Sequence, residues 1–418
     1  MPDAELPEPL LPDLELPDAE LPEPLLPDVP PAVVPAAVPV GLRSGRRRPG
    51  RLAPVVGTAR KMLQTALADA GYPRHVVVAC SGGPDSLALA AVAAYFARRG
   101  HVDGRPLSVG AAVVDHQLQE GSGKIAARTA DALEGLGLSP VEIRTVTVAG
   151  AGMGPEAAAR EARHAALEAA AAEQGANAIL LGHTLDDQAE QVLLGLARGS
   201  GTRSLAGMRP ARAGAGNTVL LRPFLGLRRA DTEEICAVEE LAPWHDPTNT
   251  DPAFARSRTR VEVLPHLEEN LGPGVAESLA RTAAILQLDA DYLEDVAEST
   301  FASLATRDGG VLSLPEEALR ALAPAIRFRV IAKAAADVGG QQPSYQRLLA
   351  AEALLRRQGS AGPVELPGSV SVYRLSLAQL EGSKDPAAPG APGSAGSVPR
   401  EGARCGKLVF RPQKPPKK

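Results

Sequence analysis

The chain has 418 residues, 44% hydrophobic and 22% charged, a composition that excludes a largely disordered protein. Its apolar runs stop well short of the ~20 residues of a membrane helix, and its three scattered cysteines (Cys80, Cys236, Cys405) exclude a disulfide scaffold and a zinc ribbon, so we expect a cytoplasmic protein without membrane contact. The net charge of −5 is uneven: residues 1–40 contain nine acidic residues and no Lys or Arg, which leaves 44 basic against 40 acidic residues elsewhere. This mild positive excess permits nucleic-acid binding without establishing it.

Both ends of the chain have the composition of tails. The segment PDAELPEPLLPD occurs at 2–13 and again at 17–28, and the twelve prolines of residues 1–40 prevent helix and sheet from propagating. We therefore expect residues 1–55 to form a disordered acidic tail followed by a basic linker. Residues 383–418 are rich in Pro, Gly, Ser and Ala and end in PQKPPKK, which predicts a disordered basic tail.

Residues 56–265 alternate between strand-like and helix-like segments. The predicted strands are 75–80, 107–115, 142–148 and 178–182, and the helices between and after them reach Arg99, span 122–137 and 155–173, and end with 186–198. This alternation predicts an α/β domain, a Rossmann-like parallel sheet with helices on both faces. Such sheets bind ligands at the carboxyl ends of their strands.

Residues 266–382 predict a second, smaller and mainly helical domain. Three helical segments begin near Glu277, Pro315 and Tyr345, and one strand-like segment follows at 364–375. The basic side chains of these helices either face RNA or solvate a helix surface, and the sequence leaves both alternatives open.

A loop after the first predicted strand has the composition of a phosphate-binding site. Its residues are Ser81, Gly82, Gly83, Pro84, Asp85 and Ser86. Paired glycines let the main chain approach a ligand, and proline suits the first turn of a helix, whose free amides and dipole would face an anion. The serines add donors, and Asp85 offers a carboxylate to a divalent cation. Gly-Gly-Pro-Asp is also ordinary turn chemistry, but a turn does not need flanking serines.

This loop resembles that of the N-type ATP pyrophosphatases with a PP-loop, a superfamily that includes GMP, NAD and asparagine synthetases, tRNA thiolases and tRNA(Ile)-lysidine synthases. Further motifs resemble those of the lysidine synthases in the same order. They are Val114-Asp115-His116, the segments 156–164 and 182–190, Arg222-Pro223-Phe224-Leu225, and 244–249 followed by Arg256 and Arg260. The sequence departs from the family pattern at Gln119, His164, Gln191 and Ser257.

The resemblance implies a reaction and its participants. Lysidine synthases use ATP and Mg²⁺ to adenylate the wobble cytidine of the isoleucine tRNA with anticodon CAU, and then ligate free L-lysine to its carbon 2. AMP and diphosphate are released, and decoding changes from methionine to isoleucine. A homodimer is left open.

The resemblance also implies roles for individual residues. The implied ATP site comprises the loop residues with Asp115, His116 and Arg160; the implied lysine site comprises Asp187 and Glu190; the implied catalytic residues are Asp85, Asp187 and Arg163, with Asp85 also a magnesium ligand.

Other interpretations remain open from the residues alone. A sulfurtransferase or a glutamine-fed amidotransferase would need cysteine chemistry that the sequence does not display. A non-catalytic tRNA-binding protein would have no need of Asp85 or Ser86. Asp186 and Asp187 also suit a helix cap, and Arg160 and Arg163 also suit the solvated face of an alanine-rich helix.

Overall fold

The structure is a computed structural model, and it describes residues 52–117, 121–146, 155–199, 201–357, 361–375 and 406–413. The acidic repeat, most of the basic linker, Gln119 and Cys405 lie outside these ranges. Within them, no helix combines the length and apolar character that crossing a bilayer requires.

A six-stranded sheet lies at the centre of the first domain, in the order β5-β4-β1-β6-β8-β7. Its strands are β1 (His75–Cys80), β4 (Ser108–Asp115), β5 (Val141–Thr145), β6 (Ala178–Leu181), β7 (Ala211–Ala213) and β8 (Val219–Leu221); β2 (His101–Val102) and β3 (Arg105–Pro106) form a separate hairpin. All neighbours pair in parallel except β7, which is antiparallel to β8. Because the chain reaches β4 and β5 on one side of β1 and β6 on the other, a crevice opens at the carboxyl ends of β1 and β6.

Helices cover both faces of this sheet, as predicted. They are α1 (Pro54–Asp69), α2 (Pro84–Arg99), α3 (Ser122–Gly135), α4 (Pro155–Glu173), α5 (Leu185–Ala197), α6 (Thr202–Leu205), α7 (Arg229–Val238), α8 (Ala255–Arg258) and α9 (Leu264–Leu271), with a 3₁₀ turn at Pro247–Thr250 and a π-helical turn at Thr259–Val263. Alternate residues of β1 enter opposite cores: Val76 and Val78 join α1, α2, α3 and α7, whereas Val77 and Ala79 join α4.

The second domain packs helices on an antiparallel sheet of order β11-β12-β13-β10-β9. Its elements are α10 (Val275–Leu304), β9 (Thr306–Asp308), β10 (Val311–Pro315), α11 (Glu316–Ala321), α12 (Pro324–Gly339), α13 (Tyr345–Ala353), a 3₁₀ turn (Leu354–Arg356), β11 (Ala361–Leu366), β12 (Val370–Leu375) and β13 (Lys407–Pro412). The sheet is larger than the single strand-like segment expected from the sequence. The exact division between the domains, set at residue 265, stays a prediction.

The prediction of a disordered tail over 383–418 is wrong for β13. This strand lies in the middle of the sheet and pairs with both β10 and β12. Its apolar side chains Leu408, Val409 and Phe410 are buried. β13 is only six residues long and is flanked by Pro, Gly and Lys, so its pattern is too short to predict a strand. Its apolar contacts with a distant part of the chain stabilise it instead.

Candidate active site

The loop between β1 and α2 presents main-chain groups at the crevice. Gly82 has φ +82°, and a Cβ at this position would lie 2.5 Å from Thr129 Oγ1, so the conformation and the space both require glycine. The amide of Trp244 donates to the Gly82 carbonyl at 2.9 Å. Gly83 precedes Pro84, the first residue of α2, and no side chain of the described residues caps this helix end. The first turn of α2 is therefore open to an anion.

Ser86 fixes the shape of the loop from inside. Its Oγ accepts from the Ser81 amide at 3.1 Å and donates to the Gly83 carbonyl at 3.0 Å. The buried Cys80 thiol donates to the same oxygen at 3.4 Å, and burial raises the pKa of this thiol. The Ser81 side chain is exposed and lies 3.3 Å from Ser86 Oγ. Ser86 therefore organises the loop, whereas Ser81 is accessible to a ligand.

Asp85 lies between the loop and α7. Its Oδ1 accepts from the Thr232 hydroxyl at 2.5 Å, and its Oδ2 lies 3.5 Å from Arg229 Nε. Burial raises the pKa of Asp85 to about 6, although Arg229 and Thr232 act to lower it. A cation beside this carboxylate would favour its ionised form, so the donor suits a magnesium ion. The described residues contain no group of three His, Cys, Asp or Glu side chains suited to holding a metal by themselves.

The end of β6 touches the loop. A Cβ at Gly182 would lie 2.9 Å from the Asp85 carbonyl oxygen, so glycine permits this contact. The chain then passes through His183 into α5, which carries Asp187 and Glu190 one turn apart. Burial, with Arg222 and Arg163 nearby, lowers the pKa of His183 to about 3 against the opposing effect of Asp187, so its imidazole is neutral at physiological pH.

Three arginines surround Asp187 and Glu190, the two carboxylates for which the resemblance implies lysine binding. Arg229, Arg256 and Arg260 form, with Asp187 and Glu190, what we call the carboxylate–arginine cluster. Glu190 is fully buried and accepts from Arg256 Nε at 2.9 Å and from Arg260 Nε at 2.7 Å. Asp187 Oδ1 lies 3.0 Å from Arg256 Nη2 and 3.4 Å from Arg229 Nη2. Although burial acts to raise the pKa of Asp187, Arg256 and Arg229 hold it at about 2.

The sequence offered both aspartates as caps of α5, and the structure divides the two roles. Asp187 caps its own helix, because its Oδ2 accepts from the Thr184 amide at 2.8 Å. Asp186 instead accepts from the Arg229 amide at 2.7 Å and pairs with Arg228 at 3.2 Å, at the first turn of α7. The adjacent carboxylates thus join α5 to α7.

Asp115 and His116 lie at the carboxyl end of β4, next to β1. Asp115 is buried, and its Oδ1 accepts from the amide of Gln117, which adopts φ +53°. His116 is half-buried, and its Nδ1 has no partner within the described residues. Burial and the charge of Arg163 lower the pKa of His116, although Asp115 raises it. Both residues are at the expected edge of the crevice.

The two arginines predicted on α4 occupy different environments. Arg160 is exposed, whereas Arg163 is half-buried; burial and the charge of Arg160 lower the Arg163 pKa. Arg163 makes no ion pair or hydrogen bond with the described part of the chain. The guanidinium of Arg163 is therefore available to a ligand.

The sequence analysis did not identify Arg229 and Thr232 as candidate functional residues. Both lie on the first turns of α7 and contact Asp85, 147 residues from Thr232 along the chain. Arg229 also reaches Asp187 and Glu190, so it joins the loop to the carboxylate–arginine cluster. The only signal was their place after the Arg222-Pro223-Phe224-Leu225 motif. No local pattern indicates which side chain of a helix reaches across a crevice.

Comparisons with known proteins agree with this geometry. Residues 57–267 match the model of a PP-loop domain, and residues 314–377 match that of a TilS substrate binding domain. The tRNA(Ile)-lysidine synthase of Salinispora tropica is 47% identical over 325 residues, 77% of this chain and 95% of the relative. That of Leifsonia xyli is 49% identical over 294 residues, 70% of this chain and 85% of the relative. In a solved U34-tRNA thiolase from Methanococcus maripaludis, the matched region is 18% identical and covers 56% of this chain and 80% of the thiolase, at a TM-score of 0.45.

Proposed function

The chain belongs to the tRNA(Ile)-lysidine synthases, ATP-dependent ligases that form lysidine on tRNA(Ile), and we propose a mechanism for its residues. In the first step, O2 of the wobble cytidine in the CAU anticodon attacks the α-phosphorus of ATP, and pyrophosphate leaves. In the second step, the ε-amine of free lysine attacks carbon 2, loses a proton, and displaces AMP. Neither step requires a covalent enzyme nucleophile, in keeping with the buried state of Cys80 and Cys236.

The loop at 81–86 holds the phosphates of ATP. The uncapped first turn of α2, the exposed Ser81 hydroxyl and the glycine backbone supply donors to the leaving pyrophosphate. Magnesium, when bound, neutralises phosphate charge, and Asp85 is the loop carboxylate that would hold it. Asp115 and His116 at the end of β4, with Arg160 on α4, line the rest of the nucleotide site, and Arg163 faces the charge that develops on the transferred group.

The carboxylate–arginine cluster suits a zwitterion. Free lysine has an α-ammonium group and a carboxylate on the same carbon, and its ε-amine lies at the far end of the side chain. Asp187 and Glu190 would bind the α-ammonium group, and Arg256 or Arg260 would turn from these carboxylates to the lysine carboxylate, so the charges remain balanced and the ε-amine stays free to react. The amine has an ordinary pKa of about 10.4, so it must lose a proton before attack.

One observation carries this proposal. Arg229 lies 3.5 Å from Asp85 and 3.4 Å from Asp187, so a single guanidinium spans the phosphate loop and the carboxylates assigned to lysine. The two half-sites are therefore close enough to act on one cytidine.

Incubation with ATP, labelled lysine and transcripts of both CAU-bearing tRNAs tests the proposal. We expect the isoleucine tRNA alone to take up label, with AMP and pyrophosphate released in equal amounts. Label in the methionine tRNA, or binding of tRNA without release of AMP, would contradict it.

A further inference from the structure

A cavity of about 480 Å³ opens beside the carboxylate–arginine cluster, a volume that suits a ligand of nucleotide size. Six arginines line it, and we call them the arginine pocket: Arg160, Arg198, Arg209, Arg212, Arg222 and Arg256. Among the residues that the structure describes, no Asp or Glu lines the cavity. The pocket is thus strongly cationic and adjoins the candidate active site through Arg256.

The positive charge of the arginine pocket is only partly neutralised by the protein. Arg209 pairs with Asp291, and Arg256 pairs with Glu190. Arg198 and Arg212 are exposed and make no side-chain ion pair within the described ranges. Clustered cations repel one another unless an anion lies between them, so this arrangement favours an anionic ligand.

Arg222 gives the clearest sign of uncompensated charge. It is 6% exposed; its Nη1 donates to the Arg209 carbonyl at 2.8 Å, and its buried Nε has no partner among the described residues. Burial, together with the charges of Arg212 and Arg160, lowers the pKa of Arg222 to about 10.

The pocket is rigidly built on the catalytic domain. The Gln188 side chain on α5 donates to the Met208 carbonyl at 2.9 Å and accepts from the Met208 amide at 2.6 Å. Gly207 has φ +65°, and a Cβ there would lie 2.6 Å from Gln188 Oε1. These contacts fix the turn that carries Arg209 against the helix that precedes Arg198.

We propose that the arginine pocket binds backbone phosphates of the tRNA anticodon loop, next to the reacting cytidine. This inference rests on the proposed function and names the part of the substrate that the pocket receives. None of the loop residues 81–86 lines the pocket, so the phosphate loop lies outside it, and Arg160 is the one residue of the proposed nucleotide site that also lines the pocket. Planar guanidiniums pair bidentately with phosphate and suit a polyanionic backbone.

A second cavity lies between the arginine pocket and the second domain. Arg209 also lines this neighbouring cavity of about 430 Å³, together with Arg329 and Lys333 of α12. Arg329 Nη2 donates to Thr202 Oγ1 at 3.1 Å, which joins α12 to the catalytic domain at that point. Glu294 also lines this second cavity and pairs with Lys333, so Arg329 is the basic side chain of the second domain that a strand leaving the arginine pocket would meet.

The test measures tRNA affinity against salt for the double variant Arg198→Gln/Arg212→Gln. Both side chains are exposed, so the fold should be retained. Each phosphate contact contributes about 0.7 to the slope of log affinity against log salt on a single strand, or about 2.6-fold in affinity between 50 and 200 mM salt. The affinity advantage of the wild type over the double variant should thus shrink about sevenfold over that range. The matched control is Arg74→Gln. Arg74 is exposed and directly precedes β1, so it lies at the amino-terminal ends of the strands, whereas the crevice lies at their carboxyl ends.

The outcomes separate this inference from the proposed function. A lower slope for the double variant, with the control and the KM for ATP unchanged, supports the pocket as an RNA site. An unchanged slope, or a raised KM for ATP with an unchanged slope, overturns it, the latter because the ligand would then be the triphosphate. Wild-type protein from the same preparation is assayed for lysidine formation. Absence of that activity would refute the proposed function. Normal activity together with an unchanged salt slope for the double variant would refute only the assignment of the pocket to RNA.

Discussion

Replacing Glu190 with glutamine removes the fully buried carboxylate of the carboxylate–arginine cluster while keeping its shape. Breaking a buried ion pair costs roughly 3–5 kcal/mol, but Arg256 and Arg260 are 28% and 23% exposed and keep part of their hydration. We therefore expect a loss of about 2–3 kcal/mol. For a domain of this size, that loss lowers Tm by roughly 4–12 °C.

The same substitution should weaken lysine binding. A hydrogen bond to a charged group is worth about 1.5–3 kcal/mol, so the KM for lysine should rise about 10- to 150-fold, with the KM for ATP little changed. Thermal unfolding and steady-state kinetics at varied lysine measure the two effects. The matched control is Glu173→Gln, which breaks the exposed pair with Arg144 and should alter neither quantity. A fall in Tm with a wild-type KM for lysine would refute the lysine assignment and leave Glu190 with a purely structural role.

Three further predictions concern other parts of the molecule. Because the pKa of Asp85 is about 6 and the ionised carboxylate is the active form, kcat/KM for ATP should fall about tenfold per pH unit below pH 6; a profile flat to pH 5 would contradict this. A lysine analogue that lacks the carboxylate, 1,5-diaminopentane, should be a much poorer nucleophile than lysine, and Arg256→Gln should narrow the difference; equal use of both compounds by the wild type would exclude an arginine contact to the lysine carboxylate. Phe410→Ala empties a fully buried position of β13 and should destabilise the second domain by about 3–5 kcal/mol in denaturant unfolding, whereas a tail residue would tolerate the change.

The central sheet was predictable because its strands follow local rules. The β-branched run His75–Cys80 is buried on both faces, and the structure has the strand over these same residues. The helix Pro155–Glu173 likewise matches its predicted bounds. The parallel pairing of β1 with β6 brings the phosphate loop and the start of α5 to the same crevice.

Long-range contacts were not predictable in the same way. β13 pairs in the middle of the second sheet although more than thirty residues separate it from β12, and its short apolar run does not differ from a chance one. Likewise Asp187 and Glu190 were recognised from their spacing on one helix, but the arginines that surround them come from α7, α8 and the turn after α8. Which cations reach a buried carboxylate depends on packing between elements, and no periodicity in the sequence encodes it.

The most direct test of the account is tRNA-dependent exchange of labelled pyrophosphate into ATP in the absence of lysine. If the loop at 81–86 transfers AMP to the cytidine before lysine reacts, exchange should proceed with the CAU isoleucine tRNA and ATP alone, and Asp85→Asn should abolish it. Exchange that needs lysine but no tRNA would mean that the amino acid is the group activated, and would contradict the account.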